Sequence, residues 1–247
     1  MDDIGKRDSN WPRSAAIFGA SGGIGAALTK ALAARGTTVF AGSRSGDVPA
    51  GEGITSFTFD LDDEASIEAA AGQMRDLTPQ LVIVASGVLT LPDGTGPERS
   101  YRKLDPAAMA RVLALNTIGP AIIAKHMLPL FNRNERSVFA ALSARVGSIG
   151  DNGLGGWHSY RASKAALNML LKNFALELGR THQQSVVAGL HPGTVDSSLS
   201  EPFQSGVPEG KLFSPDQSAG YLLDVIDGLV PEDSGGVFDW QGEEIEA

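Results

Sequence analysis

Residues 19–25 read Gly-Ala-Ser-Gly-Gly-Ile-Gly, between the apolar segment Ser14-Ala-Ala-Ile-Phe18 and the helix-forming run Ala26-Ala-Leu-Thr-Lys-Ala-Leu-Ala-Ala34. The first segment has the continuous apolarity of a buried strand, and Gly36 stands where a helix stop belongs. Thr37-Thr-Val-Phe-Ala41 reads as a second strand. Glycine lets backbone turn sharply and approach a ligand closely, and a helix N-terminus offers unpaired N–H groups to an anion. Strand, glycine turn, helix and strand in this order open a βαβ unit whose turn accommodates a dinucleotide pyrophosphate. The spacing is G-x-x-x-G-x-G at 19, 23 and 25, with Gly22 extra. This feature predicts a parallel sheet with helices on both faces.

The alternation continues along the chain. Residues 54–59 predict a third strand ending at Asp60-Leu61, and 63–77 a helix closed by Pro79. Leu81-Val-Ile-Val-Ala85 is a central strand that ends in Ala85-Ser86-Gly87, where backbone passes close to a ligand. Residues 89–105 are a Pro/Gly-rich surface loop, and 106–131 a long helical pattern carrying Asn116 and the interruption Gly119-Pro120. Strands are expected at 137–142, 185–190 and 236–240, with a capped helix from Ser214 to about 229. The whole describes one α/β domain, doubly wound and Rossmann-type, with a parallel sheet of about seven strands. Its first 13 residues form a loose lead-in, and the Ser/Pro/Gly-rich stretch 197–213 a substrate flap. The site belongs at the carboxyl ends of the strands.

Composition narrows the function. A net charge of −9 argues against a general nucleic-acid binder. The absence of cysteine excludes disulfides, thiolate metal sites and a Cys nucleophile, and the four His lack ligand spacing. The opening ten residues are polar, without the apolar core of a signal peptide, and no apolar run is expected to approach the roughly 20 residues needed to span a bilayer. A cytoplasmic protein without a membrane segment is expected.

Two side-chain patterns carry chemistry. Tyr160 and Lys164 are four residues apart on a predicted helix and share one face. A free phenol titrates near 10, and a neighbouring cation would pull it toward neutrality, which makes the pair an acid/base device. At the end of the second strand, an acid would hold the ribose 2′-hydroxyl of NAD, whereas an Arg accommodates the 2′-phosphate of NADP. Here Ser43 and Arg44 stand in that place, with no acid until Asp47, so NADP is favoured over NAD.

The glycine turn, Asp60-Leu61, Asn116, Tyr160-x-x-x-Lys164 and Pro192-Gly-Thr-Val195 together resemble the short-chain dehydrogenase/reductase family. Residues 155–168 and 190–195 resemble in particular its carbonyl-reductase branch, the group containing C-factor and sniffer proteins. The resemblance implies reduction of an aldehyde or ketone, with Tyr160 passing a proton while hydride moves at the nicotinamide. It implies that Lys164 holds the nicotinamide ribose and that Asn116 holds a relay water. Gly19, Ser21, Gly22, Gly23, Ile24 and Gly25 would line the phosphates, Asp60 and Leu61 the adenine, and Ala85, Ser86 and Gly87 the adenosine ribose. Pro192, Gly193, Thr194 and Val195 would hold the carboxamide. The family's serine is displaced: counting back three from Gly147 reaches Ala144. Ser143 is the favoured substitute and Ser148 the second, although Ser143 needs a bend to face the site. Trp157, Leu154 and Phe203 point to an apolar small-molecule carbonyl substrate. A homodimer or homotetramer is implied, and a dinucleotide-binding signalling or scaffold protein with vestigial catalysis is the alternative.

Overall fold

The computed structural model describes residues 11–206, 208 and 210–246. Nine strands lie among these: β1 (Ser14–Phe18), β2 (Thr38–Ser43), β3 (Ile54–Thr58), β4 (Leu81–Val84), β5 (Ser137–Leu142), β6 (Ser185–His191), β7 (Thr194–Val195), β8 (Leu212–Phe213) and β9 (Val237–Asp239). Seven form one parallel sheet in the order β3-β2-β1-β4-β5-β6-β9, and β7 pairs only with β8. The helices are α1 (Gly23–Ala34), α2 (Glu64–Gln73), α3 (Pro106–Leu113), α4 (Gly119–Met127), α5 (His158–Leu178) and α6 (Pro215–Gly228).

Period-two alternation sends Ile17 and Val39 to one face of the sheet, where Leu28, Leu32, Leu222 and Ile226 cover them from α1 and α6. Phe18, Val84 and Phe139 point to the other face, under Ile67, Ile123, Met127, Leu167 and Leu171 from α2, α4 and α5. Phe18 meets Phe57 and Phe59 edge-on at 5.1 and 5.0 Å. Each such fully buried side chain contributes about 1.5–3 kcal/mol of transfer free energy, so the sheet is held from both faces. The chain winds outward from β1 to β3 and returns to β4 beside β1. That reversal opens a crevice between the carboxyl ends of β1 and β4.

Local signals start the helices. Asp63 caps α2 through the Ala65 N–H, Asp105 caps α3 through Ala108 with Pro106 in the first turn, and Ser214 and Gln217 form a reciprocal capping box on α6. The long pattern over 106–131 is divided. Ala114–Ile118 adopts π geometry, and the Gly119 N–H donates to the Ala114 carbonyl five residues back. Pro120 follows directly and has no N–H to continue an α ladder. The run Pro106–Leu130 spans 25 residues and its most apolar 18-residue window has a mean hydropathy of 1.5, enough by length and composition to cross a bilayer. The expectation that no segment would approach that length is therefore corrected. In this fold its apolar side chains Val112, Ile123 and Met127 are buried against the protein.

One further expectation changes. Residues 11–13 are anchored rather than loose: the Arg136 guanidinium stacks on Trp11 at 3.7 Å, and the Thr37 hydroxyl donates to the Pro12 carbonyl at 2.8 Å. Residues 1–10 lie outside the described part. Within 197–213, Glu201–Gly206 forms a 3-10 turn and the β7–β8 pair ties the two ends together, while 207 and 209 lie outside the described residues.

Candidate active site

A cleft of ≈ 550 Å³ occupies the crevice at the strand ends. One wall is the glycine turn. Gly19 has φ +101°, a conformation that side chains rarely adopt, and a Cβ on Gly25 would sit 2.2 Å from the Gly19 carbonyl oxygen. The turn is thus folded backbone on backbone, and only glycine fits. Gly22 precedes α1 without any side-chain cap, so the free first-turn N–H groups belong to the wall formed by Gly22, Gly23, Ile24 and Gly25. Ala85, Ser86 and Gly87 complete the floor, and Pro192, Gly193, Thr194 and Val195 face them. Uncapped donors, a helix dipole and a cradle that a Cβ would fill are what a pyrophosphate needs. The residues present fit a bound dinucleotide.

Tyr160 and Lys164 form the inner wall of the same cleft. The Lys164 Nζ donates to the Leu142 carbonyl at 2.7 Å and lies 5.8 Å from the centre of the Tyr160 ring. Its burial lowers the ammonium from 10.5 to about 8. Burial also pushes the Tyr160 phenol up to about 12. The expectation that the lysine would draw the phenol toward neutrality is corrected: desolvation of the phenolate outweighs the neighbouring charge in the protein alone.

Several expected site residues are committed elsewhere. Ser143 is the principal correction: its hydroxyl donates to Asn168 Oδ1 at 2.6 Å, one helical turn beyond Lys164. The strand ladder continues through it, with the Ser143 N–H bonded to the Leu190 carbonyl at 2.8 Å, so no bulge turns the side chain toward Tyr160. Ser148 is buried and accepts from the Asp151 N–H at 3.0 Å. Ala144 lines the cleft instead, with a methyl group where a hydroxyl was sought. The Ser43 hydroxyl is likewise spent, on the Asp47 carbonyl at 3.1 Å. Asn116 is fully buried; its amide exchanges two 2.8 Å bonds with the Val88 backbone and donates to Ser163 Oγ at 3.1 Å. It therefore fastens the end of β4 to α5. Gly19, Ser21, Asp60 and Leu61 do not line the cleft, and Leu61 packs into the apolar core. Leu154 is 92% exposed and walls nothing, whereas Trp157 packs on Phe203 at 5.1 Å and on Tyr160 at 6.2 Å.

The cleft also contains residues that sequence reasoning passed over. Arg145 reaches it while gripping buried Asp239 at 2.8 Å. His191 lies in the wall with its Nδ1 buried and without a hydrogen-bond partner among the described residues. Burial, reinforced by the Arg145 charge, pushes its imidazole down to about 4, so it is neutral at physiological pH. Its place immediately before Pro192-Gly193 was the available signal. Among the described residues no cluster of His, Cys, Asp or Glu could hold a metal ion.

A doubly wound parallel sheet with an uncapped glycine turn at its switch point defines a nucleotide-binding Rossmann-type protein, and the Tyr160–Lys164 pair in the same cleft defines it further. Residues 13–207 match the family model for short chain dehydrogenase, and the chain belongs to that family, in its carbonyl-reductase branch. It is 34% identical over 223 residues to 1-hydroxy-2-glutathionyl-2-methyl-3-butene dehydrogenase of Rhodococcus sp., covering 89% of this chain and 92% of that protein. It is 39% identical over 142 residues to the C-signal protein of Myxococcus xanthus, over 58% of this chain and 80% of the other. NADPH-bound carbonyl reductase from chicken fatty liver superposes with a TM-score of 0.79 at 26% identity, covering 95% of this chain and 99% of that one. Carbonyl reductase Sniffer of D. melanogaster shares the fold with a TM-score of 0.80 at 20% identity, over 95% and 99%.

Proposed function

We propose that this oxidoreductase reduces an aldehyde or ketone to an alcohol with NADPH. The observation that carries the reading is the presence of Tyr160, Lys164 and the uncapped glycine turn in one cleft. When bound, the nicotinamide supplies the hydride. Tyr160 holds the proton: a phenol pushed up to about 12 is fully protonated at neutral pH, which suits a donor to a nascent alkoxide. Lys164, anchored by the Leu142 carbonyl, holds positive charge beside that phenol and the nicotinamide ribose. Asn116 keeps α5 in register with the end of β4. Gly22 to Gly25 hold the phosphates, and Pro192 to Val195 the carboxamide.

NADPH is favoured by Arg44, which is exposed at the end of β2 and has no ion-pair partner among the described residues. The NADPH-bound chicken enzyme supports the same choice. Trp157 and Phe203 supply apolar walls, and 197–213 acts as the substrate flap through Ser197–Phe203, which line the cleft in part. Self-association through the helical segment holding Asn116 and through α5, which holds Tyr160, is supported by exposed Ile118, Met169 and Leu176.

The test is NADPH oxidation with a panel of aldehydes and ketones. Wild type should turn over at least one of them, and Tyr160→Phe should lose about 10²–10⁴ in rate while keeping its NADPH affinity. Tight NADPH binding without turnover of any carbonyl overturns the reading.

A further inference from the structure

Behind Tyr160 the protein contains a second cavity, of ≈ 470 Å³. It shares Leu89, Tyr160 and Phe203 with the cofactor cleft, so the two spaces meet at the proposed proton donor. Its floor is apolar: Leu91 and Val112 are buried there and pack with Leu115 into a small cluster of their own. Its rim is charged, by Glu98, Arg99, Lys103 and Asp105.

The charges on that rim are not equivalent. Both acids are already occupied by donors of the protein. The Glu98 carboxylate accepts from the Ser159 N–H at 3.0 Å and from the Ser159 hydroxyl, latching the loop to the first turn of α5. The Asp105 carboxylate accepts from the Ala108 N–H at 2.8 Å as the cap of α3. Arg99 and Lys103 are exposed, and their side chains have no hydrogen-bond or ion-pair partner among the described residues. On a chain with 29 acids against 20 Lys and Arg, the four rim charges cancel, so this mouth escapes the general negative excess and offers two cations whose side chains are uncommitted.

We propose that this cavity receives the tail of the substrate, an apolar chain ending in an anionic group that Arg99 and Lys103 recognise at the rim. The carbonyl at the other end then reaches Tyr160. The substrate class is an ω-oxo acid or a related anionic amphiphile. This assignment rests on the carbonyl-reductase reading for its orientation, but the binding of the tail is separable from it.

Calorimetric titration of the NADPH-loaded protein with decanoate and with decanol reads the cavity without chemistry. Decanoate should bind about tenfold more tightly, the combined effect expected of two partly exposed ion pairs, and should weaken with salt. The double variant Arg99→Glu/Lys103→Glu should erase that preference and leave decanol binding unchanged. In turnover, 10-oxodecanoate should show about tenfold higher kcat/KM than its methyl ester, again lost in the double variant. Equal binding of decanoate and decanol, or a preference that survives the double variant, overturns the proposal. Charge-dependent decanoate binding without turnover of either oxo compound supports the cavity assignment and overturns the reductase reading instead.

Discussion

Gly25→Ala tests whether the glycine turn is as tight as its contacts imply. The added Cβ would stand 2.2 Å from the Gly19 oxygen, 2.8 Å from its carbonyl carbon and 3.1 Å from the Ala20 Cα. Ordinary contact begins at 3.4 Å, so the first of these is short by 3.4 − 2.2, or 1.2 Å. All three neighbours are backbone, so no side chain can swing aside. Overpacking of this kind costs about 1–3 kcal/mol. Moving the turn by about 1 Å would also pull the α1 donors off a phosphate, a misplacement worth about 10²-fold. We expect urea denaturation to show about 2 kcal/mol of lost stability, and fluorescence titration to show NADPH affinity weakened about tenfold or more. Gly220→Ala is the control: it lies inside α6 with open space around the new methyl, and should stabilise by about 0.5–1 kcal/mol. If Gly25→Ala binds NADPH as wild type does and unfolds at the same urea concentration, the steric account of the turn is wrong.

Three other outcomes are expected. Ala144→Ser returns a hydroxyl to the cleft wall and should raise kcat by about tenfold, part of the 10²–10³ typical of such donors; Ser143→Ala should leave kcat near wild type and cost about 1 kcal/mol through the lost Asn168 bond. Arg44→Asp should move the ratio of kcat/KM for NADPH and NADH toward NADH, and an unchanged ratio would remove Arg44 from 2′-phosphate recognition. Lys164 titrates near 8 when folded against 10.5 in the unfolded chain. The unfolded state therefore binds more protons above pH 8, and this group's contribution to stability rises with pH there. Denaturation of wild type and Lys164→Met from pH 7 to 10 should show a difference that grows by about 2.5 kcal/mol in favour of wild type; a constant difference would mean that the buried ammonium keeps its ordinary affinity for protons.

Much of the architecture was legible because its causes are local. Ser14–Phe18, Gly36, Ser214 and the run 81–84 carry period, stop and cap signals within a few residues of themselves. The π turn at 114–118 was readable only as an interruption, since which carbonyl the Gly119 N–H finds depends on helix geometry. The anchoring of Trp11 was invisible because its partner, Arg136, is 125 residues away.

At the site the division is sharper. Sequence by itself determined that a glycine turn, a phenol and an ammonium exist at spacings that a doubly wound sheet brings together, because helix and strand periods are fixed by the backbone. Only the tertiary structure decided where each polar group spends its hydrogen bonds. It turned Ser143 to Asn168, spent Ser43 on the Asp47 carbonyl, and left Arg99 and Lys103 unpaired beside a cavity. It also set the charge states, since the burial that lifts Tyr160 and lowers Lys164 comes from packing by distant segments, and desolvation depends on everything around a group rather than on its neighbours in the chain.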